Sequence, residues 1–191
     1  ELGYCSKSEV IRTFRQTGSI FEGHVSRDVP GIWYGTGPLG IGTSVASGFA
    51  HAAKVKESSE KVFLIMGDGE AQEGQVYEMM HYASKYHLGN LIAFVDANSI
   101  QLSGPLAEVM PTDLPAIFLS AHWNVINTDG HDYEKLWSAL QKAHQSLDVP
   151  TVIIGKTIMG KGVDFMEQDS LNGTYNWHGV APSKEQTEKA L

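Results

Sequence analysis

The sequence predicts an α/β fold, a parallel β-sheet flanked by helices on both faces. Three apolar runs, KVFLIM at 61–66, LIAFVD at 91–96 and TVIIGKTI at 151–158, are continuous rather than alternating, the pattern of strands buried on both sides. Between them lie stretches with apolar residues at helical spacing, such as QVYEMMHYASKYH at 75–87. Strands that alternate with helices pair in parallel, because a parallel connection needs a crossover long enough to hold a helix.

The elements follow in order. Ser6 and Glu9 make a capping-box pattern ahead of Val10, Ile11 and Phe14, which predicts a helix over 7–17 that stops at Gly18. Residues 18–43 hold Gly23, Gly31, Gly35, Gly37, Gly40 and Gly42, too many for a regular element, and read as a substrate or cofactor loop. That loop feeds a small-residue helix, SVASGFAHAAKVK at 44–56. The first strand, the helix at 75–87 and the second strand come next. After Pro105 the pattern gives a helix near 112–121, a strand NVINTD at 124–129, a helix from Asp132 to about Gln145 and the strand at 151–158. Ser183 and Gln186 then cap a last helix.

Composition narrows the function. The 191 residues, 20.8 kDa, suit one domain. Fourteen Lys and Arg against 22 Asp and Glu leave a net charge of -8 with no basic cluster, which argues against a nucleic-acid partner. Cys5 is alone, so the chain has no internal disulfide and no CxxC pair for zinc. With no stretch of 18 apolar residues and no signal-peptide pattern, the expectation is a soluble, cytoplasmic protein without a membrane partner. The chain opens at Glu1 in ELGYCSKSEV, which reads as the end of a helix, so a missing amino-terminal segment is expected.

In a parallel sheet, ligands bind at the carboxyl ends of the strands. Three acidic clusters fall there: Gly67-Asp68-Gly69, Asp96-Ala97-Asn98 and Asp129-Gly130-His131-Asp132. A carboxylate at Asp68 and an amide oxygen at Asn98, on adjacent strand ends, are hard oxygen ligands suited to magnesium, which leaves other positions for water and phosphate. Gly69 lets a phosphate approach the backbone, and a helix starting soon after favours negative charge. A rival exists in Gly35-Thr36-Gly37-Pro38-Leu39-Gly40, a formal GxGxxG nicotinamide fingerprint. It lacks a leading strand, carries Pro38 inside the turn, and meets its acid late, at Asp68. Of the eight histidines, His51, His81, His87, His122 and His144 fall in or beside helices, and His131 caps a turn.

GDGEAQEG with Asn98 in DANSIQLSG resembles the thiamine-diphosphate motif that opens with GDG and closes with asparagine. GTGPLGIG, KTIMGKGV and WHGVAP are similar to the transketolase branch of that superfamily, and the likeness runs from about Leu2 to Leu191. It is greatest for the amino-terminal, diphosphate-binding half of a split transketolase. The resemblance implies that Asp68, Asn98 and the Ile100 carbonyl hold magnesium, or calcium or manganese in its place, and that the backbone at Gly69 meets the diphosphate. Leu39 and Leu102 would flank the thiazolium, and Gly37 would approach the aminopyrimidine. Glu73, with Glu78 as a secondary member, would join a carboxylate relay across a subunit interface. His24 and His178 match family histidines that contact sugar hydroxyls and the cofactor diphosphate, and histidine titrates near neutrality as acid–base chemistry requires.

The implied activity is transfer of a two-carbon ketol unit from a ketose phosphate to an aldose phosphate. It also implies a complementary pyrimidine-binding subunit, with two such pairs forming a heterotetramer. The family's glutamate that activates the aminopyrimidine lies in that other half. Its early KGH segment lies several dozen residues before the present start. Ile41, Val25, Trp33 and Tyr34 depart from the family pattern on the sugar side, which implies an unusual or sulfonated sugar, and Ser103 stands where aspartate is common. The departures and missing segments leave one alternative, a non-catalytic, degenerate subunit.

Overall fold

The computed structural model describes residues 3–191. Helix α1 (Lys7–Thr13) is capped by Ser6, whose hydroxyl accepts from the Glu9 amide at 3.4 Å. It ends earlier than 17, because the amide of Arg15 donates to the Phe21 carbonyl at 2.8 Å instead of continuing the helix. Arg15 turns to φ 57° and the chain folds back. The helix end expected at the start of the chain involves Glu1 and Leu2, outside the described residues.

The glycine-rich stretch is a loop as far as Gly40, and α2 (Ile41–Val55) starts three residues before the expected position. Strand β1 (Val62–Gly67) leads through a short 3-10 turn, Glu70–Gln72, into α3 (Gly74–Lys85) and β2 (Leu91–Ala97). A small antiparallel hairpin, β3 (Ile100–Gln101) with β4 (Gly104–Pro105), precedes the single turn α4 (Leu106–Val109), and the sequence pattern did not signal either. Then come α5 (Leu114–Ser120), β5 (Asn124–Asp129), α6 (Tyr133–His144) and β6 (Thr151–Lys156). The last strand is shorter than expected: Thr157 and Ile158 peel off the sheet, their amides donating to the Ala97 carbonyl and to His131 Nε2. Helix α7 (Asp164–Leu171), a turn at Asn176–His178 and α8 (Lys184–Ala190), with the expected Ser183–Gln186 capping box, close the chain.

Four strands pair in parallel in the order β1-β2-β6-β5. Helices α2, α3 and α5 cover one face, where Leu64, Met66, Leu91, Ala93, Val95 and Val152 meet Met79, Met80 and Phe118. Each such side chain contributes roughly 1.5–3 kcal/mol by leaving water. Trp123 closes this layer edge-on to Phe118, with its indole N–H donating to the Met80 carbonyl at 3.0 Å. Helix α6 covers the other face, where Ile92 and Ile153 meet Ala139 and Ala143.

Burial on both faces holds for β2 and β6 but not for β1. Phe63 is 59% and Ile65 77% exposed, because β1 is an edge strand and α6 packs over β5 and β6 instead. A continuous apolar run therefore overstated the cover on β1. No helix among the described residues is long and apolar enough to cross a membrane.

Candidate functional site

Strand β1 delivers Asp68 into the interior: the residue is 2% exposed, and its amide donates to the Asp96 carbonyl on the neighbouring strand end at 3.1 Å. Its carboxylate accepts from the Ser99 amide at 2.6 Å and the Gly69 amide at 2.8 Å. Both partners are neutral. Burial pushes the Asp68 pKa up, against the pull of the Ser99 and Gly69 amides, and the negative charge of Asp96 adds to the rise. A buried carboxylate that lacks a cation is an electrostatic cost which a bound cation removes.

The next strand end supplies the other oxygens. Asn98 Nδ2 donates to Asp96 Oδ1 at 3.3 Å, and the Thr157 hydroxyl reaches the same carboxylate oxygen. This turns the Asn98 amide oxygen the other way, where it accepts from the Ile100 amide at 2.9 Å and keeps a free lone pair. Asp68, Asn98 and Ile100 line one cavity of about 450 Å³. A carboxylate and an amide oxygen in one cavity are hard donors that fit magnesium, which draws its remaining ligands from backbone, phosphate and water. Among the described residues no three His, Cys, Asp or Glu side chains converge to hold a metal by themselves.

The same cavity is lined by Gly69, Glu73, His178, Leu39 and Leu102. Gly69 keeps the backbone bare beside Gln101: a Cβ there would stand 3.2 Å from the Gln101 Cβ. Leu39 and Leu102 are 58% and 65% exposed, two apolar walls with room between them. Glu73 sits at the N-cap of α3 and is exposed. The structure also places Glu70, Gln72, Gln101 and Met110 in the lining, along with Ser103. Glu70 and Gln72 lie inside GDGEAQEG, so their proximity was open to inspection; Met110 carries no sequence signal and arrives through the turn α4.

A second cavity, of about 930 Å³, adjoins the first and shares Leu39 and Glu70 with it. His24, Gly37, Trp33 and Tyr34 line it, and a Cβ on Gly37 would lie 3.7 Å from the His24 ring. Val25 supports this loop by accepting the Thr36 amide at 3.0 Å. Glu78 lines neither cavity: it is exposed on α3 and accepts from Gln75 Nε2 at 3.2 Å. Ile41 is the first residue of α2, 38% exposed. His131 serves the fold, accepting the Ile158 amide on Nε2 at 2.8 Å.

A family model described as transketolase, thiamine diphosphate binding domain, matches residues 2–190. The chain belongs to the transketolase family. It is 37% identical over 190 residues to an apulose-4-phosphate transketolase subunit of Phocaeicola vulgatus, a match covering 99% of this chain and 66% of that protein. It is 35% identical over 161 residues to 6-deoxy-6-sulfo-D-fructose transketolase subunit SqwG of a Clostridium species, covering 83% of this chain and 58% of that one. Among solved structures, the transketolase of Campylobacter jejuni superposes with a TM-score of 0.85 at 32% identity, over 95% of this chain and 29% of that chain. This transketolase-family chain thus spans about two thirds or less of these relatives. Membership disposes of the nicotinamide reading: Gly35–Gly40 is a loop, and among the described residues no strand leads into it.

Proposed function

We propose that the chain is the diphosphate-binding subunit of a two-subunit transketolase, which moves a two-carbon ketol unit from a ketose phosphate to an aldose phosphate. The observation that carries this reading is the buried Asp68 carboxylate, held by neutral amides alone across from the Asn98 oxygen in one cavity. When bound, thiamine diphosphate supplies the nucleophilic carbon that opens the ketose and keeps the two-carbon fragment.

The chain's own groups bind and orient. Asp68, Asn98 and the Ile100 carbonyl take a divalent ion, magnesium by preference with calcium or manganese able to replace it, and the bare backbone at Gly69 accommodates the diphosphate beside His178. Leu39 and Leu102 would flank the thiazolium as apolar walls of the cavity. His24, in the adjoining cavity with Gly37, is placed to exchange a proton with a sugar hydroxyl, and Glu73 extends a carboxylate toward the complementary pyrimidine-binding subunit, with Glu78 one turn behind. Trp33 and Tyr34 narrow the sugar side and favour an unusual or sulfonated donor, a reading supported by what the relatives' names say those proteins act on. Two such pairs make a cytoplasmic heterotetramer.

The test is a titration of thiamine diphosphate and magnesium into the chain mixed with its complementary subunit. Saturable binding that Asp68→Ala removes is expected, with two-carbon transfer in the mixture and none from the chain alone. Absence of binding in the mixture ends the proposal and leaves a degenerate subunit. Turnover by the chain without a partner ends the two-subunit reading.

A further inference from the structure

Helix α2 begins behind Gly40, a residue at φ 77° with no side chain to cap it, and its first turn contains no acidic residue. The cap comes from elsewhere. The Gly40 amide donates to Glu70 Oε1 at 2.9 Å, across thirty positions of sequence, and Glu70 belongs to the turn that directly follows Asp68 and Gly69. A carboxylate from the diphosphate turn therefore does what the glutamate of a capping box does, accepting the N-cap residue's own amide beside the positive end of the helix.

Two further contacts join the same pair of segments. A Cβ on Gly40 would stand 2.8 Å from the Glu73 Cβ, so the turn after β1 rests directly on the start of α2. One helical turn deeper, Gln75 Nε2 donates to Ser44 Oγ at 2.5 Å. Glu70 is also, with Leu39, a residue common to both cavities. It stands at the boundary between the metal side and the sugar side.

We propose that Glu70 is a positioning residue of this site. By capping α2 from the far side, it holds the Gly35–Gly40 loop and Leu39 against the turn that carries Asp68 and Gly69, and so fixes the width of the cofactor cavity. The proposal rests on the thiamine-diphosphate reading above. It assigns Glu70 no contact with cofactor or substrate; its effect runs through Gly40 and Leu39.

The experiment compares wild type, Glu70→Ala and Glu70→Gln in the full chain with its complementary subunit, each checked for folding by circular dichroism. Glutamine keeps an oxygen acceptor at the same place. Thiamine diphosphate affinity, read by tryptophan fluorescence, is expected to fall roughly tenfold in Glu70→Ala and to return to within about threefold of wild type in Glu70→Gln. In the cofactor-free chain, hydrogen exchange at the Gly40 amide should quicken in Glu70→Ala but not in Glu70→Gln. Wild-type affinity in Glu70→Ala, or equal damage in both variants, overturns the positioning role while leaving the site's function intact. A wild type that binds no thiamine diphosphate overturns the function of the site, and this role with it.

Discussion

Asp68, just past the end of β1, and Asp132, just past the end of β5, sit at the same rim of one sheet, each close to a glycine. They are built in opposite ways. Asp132 N-caps α6, accepting the amides of Glu134 and Lys135 at 3.0 Å each, and Lys135 Nζ lies 3.0 Å from its other oxygen. Its side chain is 34% exposed, and the Lys135 amide, followed by the Lys135 ammonium, holds its pKa below the ordinary value. Asp68 is buried, meets two amides and no ammonium, and has its pKa pushed up. The first carboxylate is finished within the fold, and a helix is its product. The second carries a burial cost that its amide partners offset only in part, and an incoming cation offsets the rest. Residue type and place in the fold do not separate them; the partners do.

The largest expected effect tests that difference directly. Asp68→Ala should weaken binding of thiamine diphosphate with magnesium by more than about 100-fold, as loss of a metal-ligating carboxylate does, while Asp132→Ala should leave it within about twofold. The melting temperatures follow a different balance: Asp132→Ala loses an N-cap and melts lower, whereas in Asp68→Ala the removal of a buried charge offsets the Ser99 and Gly69 amides it leaves unpaired, so it melts closer to wild type. A binding isotherm and a melting curve on each variant decide it. Equal losses of affinity would show the two clusters to be equivalent.

A smaller effect is expected where the two cavities meet. Gly40→Ala forces a Cβ to within 2.8 Å of the Glu73 Cβ at a residue with φ 77°. Backbone strain of this kind costs about 1–3 kcal/mol. The urea midpoint should fall accordingly, and cofactor affinity should fall with it because Leu39 precedes the strained residue. A midpoint at the wild-type value would mean that the loop adjusts freely and does not shape the site.

Much of this was legible in the residues. Strands β2 and β6 declared themselves through apolar runs that only a doubly covered parallel strand needs, and the Asp68–Asn98 pairing followed from the adjacency of β1 and β2. What the pattern could not carry was anything set by distant partners. The early stop of α1 depends on the Phe21 carbonyl, and the bare face of β1 depends on where α6 lands. Met110 reaches the cavity through a turn with no periodicity to announce it. Glu70 was visible as an acid after GDG, but its target, the Gly40 amide, is a tertiary fact. Glu78 lies outside the lining of both cavities, on the exposed side of α3 beside Gln75.

The subtlest contrast between the two aspartates is in how acid affects the cofactor-free, metal-free chain. Asp68 has a folded pKa above its ordinary 3.8, so its protonated form is the one the fold prefers. Its contribution to stability is therefore present below 3.8 and is lost as pH rises through the folded value. Asp132 has a folded pKa below 3.8, so its contribution is present above 3.8 and is lost as pH falls through the folded value. Neutral substitutions expose the two terms: Asp132→Asn keeps one oxygen for both the Glu134 and Lys135 amides, whereas Asp68→Asn keeps only one of the two oxygens that take the Gly69 and Ser99 amides and so adds a cost that does not vary with pH. The Asp68 term is therefore read from how the difference from wild type changes with pH, while Asp132→Asn should be slightly less stable than wild type at neutral pH. Urea midpoints taken between about pH 3 and 7 should then show Asp68→Asn losing ground to wild type as the pH falls toward 3.8, while the Asp132→Asn deficit persists until the pH nears 3.8. If the two differences change over the same interval and in the same direction, the carboxylates sit in equivalent electrostatic surroundings and Asp68 is not set apart for a metal.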